Sequence, residues 1–257
     1  MEHYRAAGEF CWLDIKTCNM ASVQTFYKDV LNWRYQQESW PHRLYPTIYA
    51  GNDQVGGFTD LNSPAFPPGT KPHISVYVAV NHVDQTVARV EQAGGNLLLE
   101  PFDLGDFGRM ATIQDSAGAV LSIWESRRFK GMNVNLNREG APFSFELMTT
   151  DLACSIEFYT KVFNWTVEIK HEETLASAEV RHEGKKVGSM KEASLETGET
   201  EWRVCYTVKH LEKAVEKAQS WGAKVITNAR KIPAGRIVVI TDPDGNAISF
   251  IELEKQA

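Results

Sequence analysis

The sequence predicts an α+β protein made of two similar halves, and three observations predict it. The segment FCWLDIKTCNMASVQTFYKDVLNW at 10–33 returns as PFSFELMTTDLACSIEFYTKVFNW at 142–165, with Phe26 and Tyr27 over Phe158 and Tyr159, and Trp33 over Trp165. DSAGAVLSIWE at 115–125 returns as DPDGNAISFIE at 242–252. Between these anchors each half runs strand, helix, several strands, and then does so again. Such an order packs helices on one side of mainly antiparallel sheets. A repeat of this length means two copies of one folding unit, so any chemistry is to be sought twice.

The elements follow in order. Phe10 to Lys16 alternates as a strand. Met20 to Asn32 has helical spacing, with Val23, Phe26, Tyr27, Val30 and Leu31 on one face and Asn19 as N-cap. Segments 45–50 and 54–58 read as short strands around the turn Gly51-Asn52-Asp53. The stretch SPAFPPGTKP at 63–72 is too proline-rich for regular structure and reads as a connector. A strand then opens at His73. Val83 to Ala93 forms an amphipathic helix closed by Gly94 and Gly95. Strands follow at 96–100 and 109–114, then a turn at 115–118 and a last strand at 119–125.

The second half repeats the plan, with a strand at 202–208, a helix at 211–221 ended by Gly222, a strand at 236–241 and a last strand at 246–253. Residues 128–141 have little periodicity and read as a linker. The expected division is 1–127, linker 128–141, and 142–257.

Composition narrows the function. Of the 257 residues 43% are hydrophobic and 23% charged, which suits a globular protein. The net charge of −6 is spread without a basic stripe, so nucleic acid is not an expected partner. No apolar run approaches the ~20 residues of a membrane span, so no membrane is expected either. The N-terminus lacks the apolar stretch of a secretory signal. Cys11, Cys18, Cys154 and Cys205 fit neither a CxxC nor a zinc pattern and read as reduced thiols of a cytoplasmic protein, monomer or homodimer.

The FY…NW segments, the helices ending in AGG or WGA, the Gly-Arg strands at 108–109 and 235–236, and the DPDG turn recur in one order over almost the whole chain. On these residues the chain resembles the vicinal oxygen chelate superfamily of glyoxalase I, bleomycin resistance proteins and extradiol dioxygenases. Within it the chain is similar to two-domain bacterial glyoxalase-like proteins related to lactoylglutathione lyase. The resemblance implies four βαβββ modules, paired into two cup-shaped mixed-sheet domains, with a metal ion typical of each cup.

The resemblance also implies where the metal ligands belong. Counting from the shared landmarks, these places carry Trp12, His73 and Ser122 in the first half and Ser144, Glu201 and Ser249 in the second. A divalent first-row metal is normally held by at least three His, Cys or carboxylate groups. The ligands are largely absent, so no metal or other cofactor is expected in the family manner. Glu125 and Glu252 lie three residues beyond the ligand places, where alternation turns them to the opposite face.

Strand alternation groups the remaining candidates. Trp12 and Asp14 share a face, as do His73 and Tyr77, and Ser122 and Trp124. With these faces inward, the first cup gains an aromatic wall and a few polar groups, the make-up of a small-molecule pocket. Asp14 near His73 is placed to orient it as a general base. In the second half Glu146, Glu201 and Arg203 face inward, with Arg203 in reach of Glu146. The expected function is binding of a small organic molecule in the first cup, without a catalytic metal. The alternative is a glyoxalase-like enzyme using His73 and Asp14 or a non-standard metal site.

Overall fold

A computed structural model describes residues 4–41, 43–171, 176–193 and 200–254. Twenty elements run in sequence. The first half contains β1 (Phe10–Thr17), α1 (Met20–Leu31), β2 (Trp33–Trp40), β3 (Arg43–Ala50), β4 (Asp53–Asp60), β5 (His73–Ala79), α2 (Val83–Gln92), β6 (Asn96–Asp103), β7 (Gly108–Gln114) and β8 (Val120–Ser126). The second contains β9 (Pro142–Thr149), α3 (Leu152–Phe163), β10 (Thr166–His171), β11 (Ala176–His182), β12 (Lys185–Glu192), β13 (Glu201–Thr207), α4 (Leu211–Ser220), β14 (Val225–Ile232), β15 (Gly235–Thr241) and β16 (Ala247–Leu253).

Each half folds into one eight-stranded mixed sheet. The orders are β2-β3-β4-β1-β5-β8-β7-β6 and β10-β11-β12-β9-β13-β16-β15-β14. The same element thus occupies the same place in both sheets. In each βαβββ module the first strand pairs parallel to the last, as β1 does with β4 and β5 with β8. The antiparallel pairs β1–β5 and β9–β13 join the modules at the centre of each sheet. Strand β2 was absent from the expected elements. It lies at a sheet edge, and its sequence WRYQQESW is polar without strict alternation.

The helices carry the signals that start and stop them. The Asn19 side chain accepts from Ser22 N, and Asp151 does the same for Cys154 N in α3. Asn32 and Asn164 end α1 and α3 in the left-handed conformation, both at φ 56°, which asparagine tolerates better than most residues. Glu125 and Glu252 turn out to cap helices. Their carboxylates accept from Val83 N and Leu211 N, at the positive ends of α2 and α4. Arg109 pairs with Asp84 in the first turn of α2, and Arg236 with Glu212 in the first turn of α4. These pairs tie each Gly-Arg strand to its helix.

The core lies between the halves. Alternation on β1 turns Cys11, Leu13 and Ile15, all fully buried, toward the helices. Helix α1 packs on α4, and α2 on α3. Two buried aromatic clusters cross the boundary. Phe10 stacks on Phe145 with centroids 4.1 Å apart and meets Trp165 and Trp202. Tyr27 and Trp33 meet Tyr206. The Tyr27 hydroxyl donates to Asp242 at 3.0 Å, and Trp202 donates to Tyr159 at 2.8 Å. Burial pushes the Asp115 and Asp242 carboxyls above the usual carboxylate range.

The lead-in segments are strapped reciprocally. Trp165 Nε1 donates to the carbonyl of Gly8, ahead of β1, and Trp33 Nε1 donates to that of Gly140, ahead of β9. Residues 128–141 are correspondingly well packed, with Met132 and Val134 buried and Met132 N bonded to the carbonyl of Cys11. All four cysteines are free. No helix among the described residues is long and apolar enough to cross a membrane.

Candidate functional site

The opposite face of the first sheet is concave. Trp12, Asp14 and Lys16 alternate along the centre of β1 toward a cavity of about 350 Å³. Tyr77 from β5, Trp124 from β8, and Met110 and Thr112 from β7 wall one side. Trp40, Arg43, Tyr45 and Thr59 wall the other. The cup is drawn closed at one end by aromatic contact. Trp40 meets Phe107 and Phe129 at 5.0 and 4.8 Å, and Phe129 stands edge-on to Trp12 at 4.9 Å.

A fixed polar group forms the floor. Asp14 is 3% exposed and carries a full set of partners. Tyr45 donates to it at 2.8 Å, Thr59 donates at 2.9 and 3.0 Å, and the Lys16 ammonium lies 3.1 Å away. Trp12 Nε1 in turn donates to the Tyr45 hydroxyl at 3.2 Å, and Lys16 donates to Ser75 at 2.5 Å. A buried carboxylate is tolerated on just these terms, with a paired cation and hydrogen bonds on its lone pairs. Gly57 makes room for the arrangement, because a Cβ there would collide with the Tyr45 ring. Burial beside Asp14 pushes the phenols of Tyr45 and Tyr77 up, so both stay protonated donors.

His73 is placed differently from the sequence expectation. Lys16, its cross-strand neighbour, takes the place at Asp14 that the expectation gave to His73. The His73 Nδ1 lies 2.9 Å from the carbonyl of Lys71. A carbonyl only accepts, so the neutral ring carries its proton on Nδ1 and leaves Nε2 as the accepting nitrogen. Desolvation, with the Lys16 charge second, holds the imidazole below the ordinary histidine pKa. His73 lines a second cavity, of about 600 Å³, that also borders Glu201, Trp202 and Asn246 of the second half.

The remaining candidates divide. Trp12, Asp14, Tyr77 and Trp124 come together in the first cavity. Ser122 is buried behind its wall, across from Tyr77 on β5 and 3.0 Å from Thr112. In the second cup Glu146 pairs with Lys191 at 2.7 Å and accepts from Ser189. Arg203 stands opposite Glu146 in the ladder, yet its Nε bonds Glu201 at 2.7 Å. The expected Arg203–Glu146 pair is therefore replaced by Arg203–Glu201, because the two side chains lie on one strand face two residues apart.

The places that the resemblance gives to metal ligands hold an indole, an imidazole and a buried hydroxyl in the first cup, and the nearby Asp14 carboxylate is paired with an ammonium. Among the described residues, no three His, Cys, Asp or Glu side chains are grouped to hold a metal ion.

The comparisons agree with the doubled architecture. Residues 11–123 and 143–250 each match the model of the Glyoxalase/Bleomycin resistance protein/Dioxygenase superfamily, and the chain belongs to that family. It is 28% identical over 245 residues to "Putative glyoxylase CFP32" of Mycobacterium tuberculosis, covering 94% of this chain and 93% of the relative. It is 26% identical over 275 residues to "Anthracycline biosynthesis protein DnrV" of Streptomyces peucetius, covering 97% and 95%. Among solved structures it resembles the Mn(II)-bound glyoxalase from Novosphingobium aromaticivorans, with TM-score 0.67 and 16% identity over 96% of this chain and 83% of that one. A catechol 2,3-dioxygenase gives TM-score 0.64 and 9% identity over 98% and 97%. At these identities the two structures share the fold alone with this chain.

Proposed function

We propose that the protein binds a small, planar, oxygen-bearing aromatic molecule in the first cup, without a resident metal. The observation that carries this reading is the walled cavity itself. Trp12, Trp40, Tyr45, Tyr77, Trp124 and Phe129 offer rings on several sides, and the Lys16–Asp14 group offers one fixed polar end. Aromatic walls with few, well-placed polar groups favour such ligands. Lys16 spends two of its three protons on Asp14 and Ser75, which leaves one for a ligand oxygen. The name of the Streptomyces relatives, anthracycline biosynthesis proteins, is consistent with a polycyclic aromatic ligand.

Calorimetric titration with 2-naphthol tests this. Trp12→Ala is expected to weaken binding by about tenfold or more, a change of ~1.4 kcal/mol, while Ser144→Ala leaves it unchanged. Equal effects at the two positions sink the assignment to the first cup. Metal analysis of purified protein is a second check. One tightly held metal per chain, lost on His73→Ala, overturns the metal-free reading.

A second reading, enzymatic and glyoxalase-like, is favoured by one observation. His73 is held neutral, with Nε2 accepting, on the strand next to the Lys16 ammonium. A base and a cation so arranged suit removal of a proton beside a carbonyl. Turnover of a methylglyoxal–thiol adduct that disappears with His73→Gln, with folding intact, supports that reading over simple binding.

A further inference from the structure

The two cavities adjoin. Lys16, Phe66, Leu99 and Thr112 line both, so the cup and the larger space between the halves meet at Lys16. The second space belongs to neither domain alone. His73 and Val120 border it from the first half, and Glu201, Trp202 and Asn246 from the second. The lining of this annex is largely aliphatic, from Ile74, Leu98, Leu99 and Val120, and the Nε2 of His73 and the Glu201 carboxylate stand among these side chains as acceptors.

We propose that the annex is a second subsite, and that the ligand is an aromatic body joined through an oxygen to a neutral, hydroxyl-rich substituent. This rests on the reading of the first cup as a site for aromatic molecules. The body lies in the cup, the linking oxygen accepts the remaining proton of Lys16, and the hydroxyls donate to His73 Nε2 and Glu201. The charges decide between a hydroxyl-bearing and a cationic substituent. Glu201 is already paired with Arg203 at 2.7 Å, and the Lys16 ammonium stands at the junction. An added cation would meet one cation and no unpaired anion there, whereas hydroxyls need only the acceptors.

The test compares two probes by calorimetry, 2-naphthol and 2-naphthyl β-D-glucoside, which differ in the sugar alone. Wild-type protein is expected to bind the glucoside about tenfold tighter. Val120→Trp, at a position 38% exposed, fills the annex without disturbing the core and is expected to abolish that advantage while naphthol affinity stays within about twofold. His73→Ala is expected to reduce the advantage as well. If naphthol binds and the glucoside binds no tighter, the annex proposal is overturned and the cup reading stands. An advantage that survives both substitutions also overturns it. If neither probe binds, the cup reading fails and the annex falls with it.

Discussion

The two cups start from one plan and end in different chemistry. Ladder positions that hold Trp12, Asp14 and Tyr77 in the first hold Ser144, Glu146 and Cys205 in the second. Trp124 is answered by Ile251, and His73 by Glu201. The acid is kept at the centre of both sheets, but its setting is not. Asp14 is buried and bonded by Tyr45, Thr59 and Lys16, whereas Glu146 is about a quarter exposed and relies on Lys191 and Ser189. The convex faces tell the opposite story. Both keep the Phe-Tyr pair, the helix-ending Asn-Trp, the capping glutamate and the strand arginine. Packing between the halves constrains one face of each sheet and leaves the other free to diverge.

The sharpest way to break this comparison is to remove the cation in each cup. Lys16→Met strands a buried carboxylate and is expected to cost about 3 kcal/mol of stability. Lys191→Met, on a more exposed pair, is expected to cost under about 1 kcal/mol. Urea unfolding reads both, and equal losses mean that the cups are energetically alike after all.

A smaller effect is expected from the phenol that Asp14 uses. Tyr45→Phe removes a donor to a buried carboxylate and an acceptor for Trp12, for about 1–2 kcal/mol. A wild-type unfolding midpoint in this variant means that the floor of the cup is not held as described.

The convex side supplies the control. Tyr27→Phe removes a phenol that bonds Asp242 across the boundary, and Tyr159→Phe removes the matching phenol beside Asp115, each for about 1 kcal/mol. Markedly unequal losses contradict an interface shared evenly by the two halves.

The smallest effect is on pH dependence. The His73 pKa is lowered by folding, so the unfolded chain binds its proton more readily. Stability is therefore full above the ordinary value of 6.5 and declines as pH falls below it. His73→Gln should flatten that decline, and an unchanged slope between wild type and variant removes His73 as its source.

Much of this was legible in the sequence, for reasons that particular residues make plain. Phe26, Tyr27, Val30 and Leu31 repeat at helical spacing, and their copies in the second half turned one weak pattern into two. Period-2 alternation put Trp12 with Asp14 and turned Glu125 away from the cup, as the structure has it. What alternation cannot supply is the partner across the sheet. Tyr45 and Thr59 reach Asp14 through β3 and β4, and Phe129 reaches Trp12 from a stretch without periodicity. Lys16 shares the face of Asp14 two residues on and was visible in principle. A lysine near a strand end ordinarily points to water, so its sequence position alone does not mark it as a partner of Asp14. The glycine pair at 56–57, unusual inside a strand, was the one local sign that a ring from a neighbour lies close.

The reciprocal straps at Gly8 and Gly140 bear on the history of the chain. Each half lends the other the stretch of backbone that precedes its own first strand, so neither is a self-sufficient module that evolution is free to discard. A gene shortened to one half would leave Trp33 or Trp165 without its carbonyl and a wide greasy face in water. The lining of the second cup can thus diverge while that half is retained, because it serves as a permanently tethered sister subunit that keeps its twin folded.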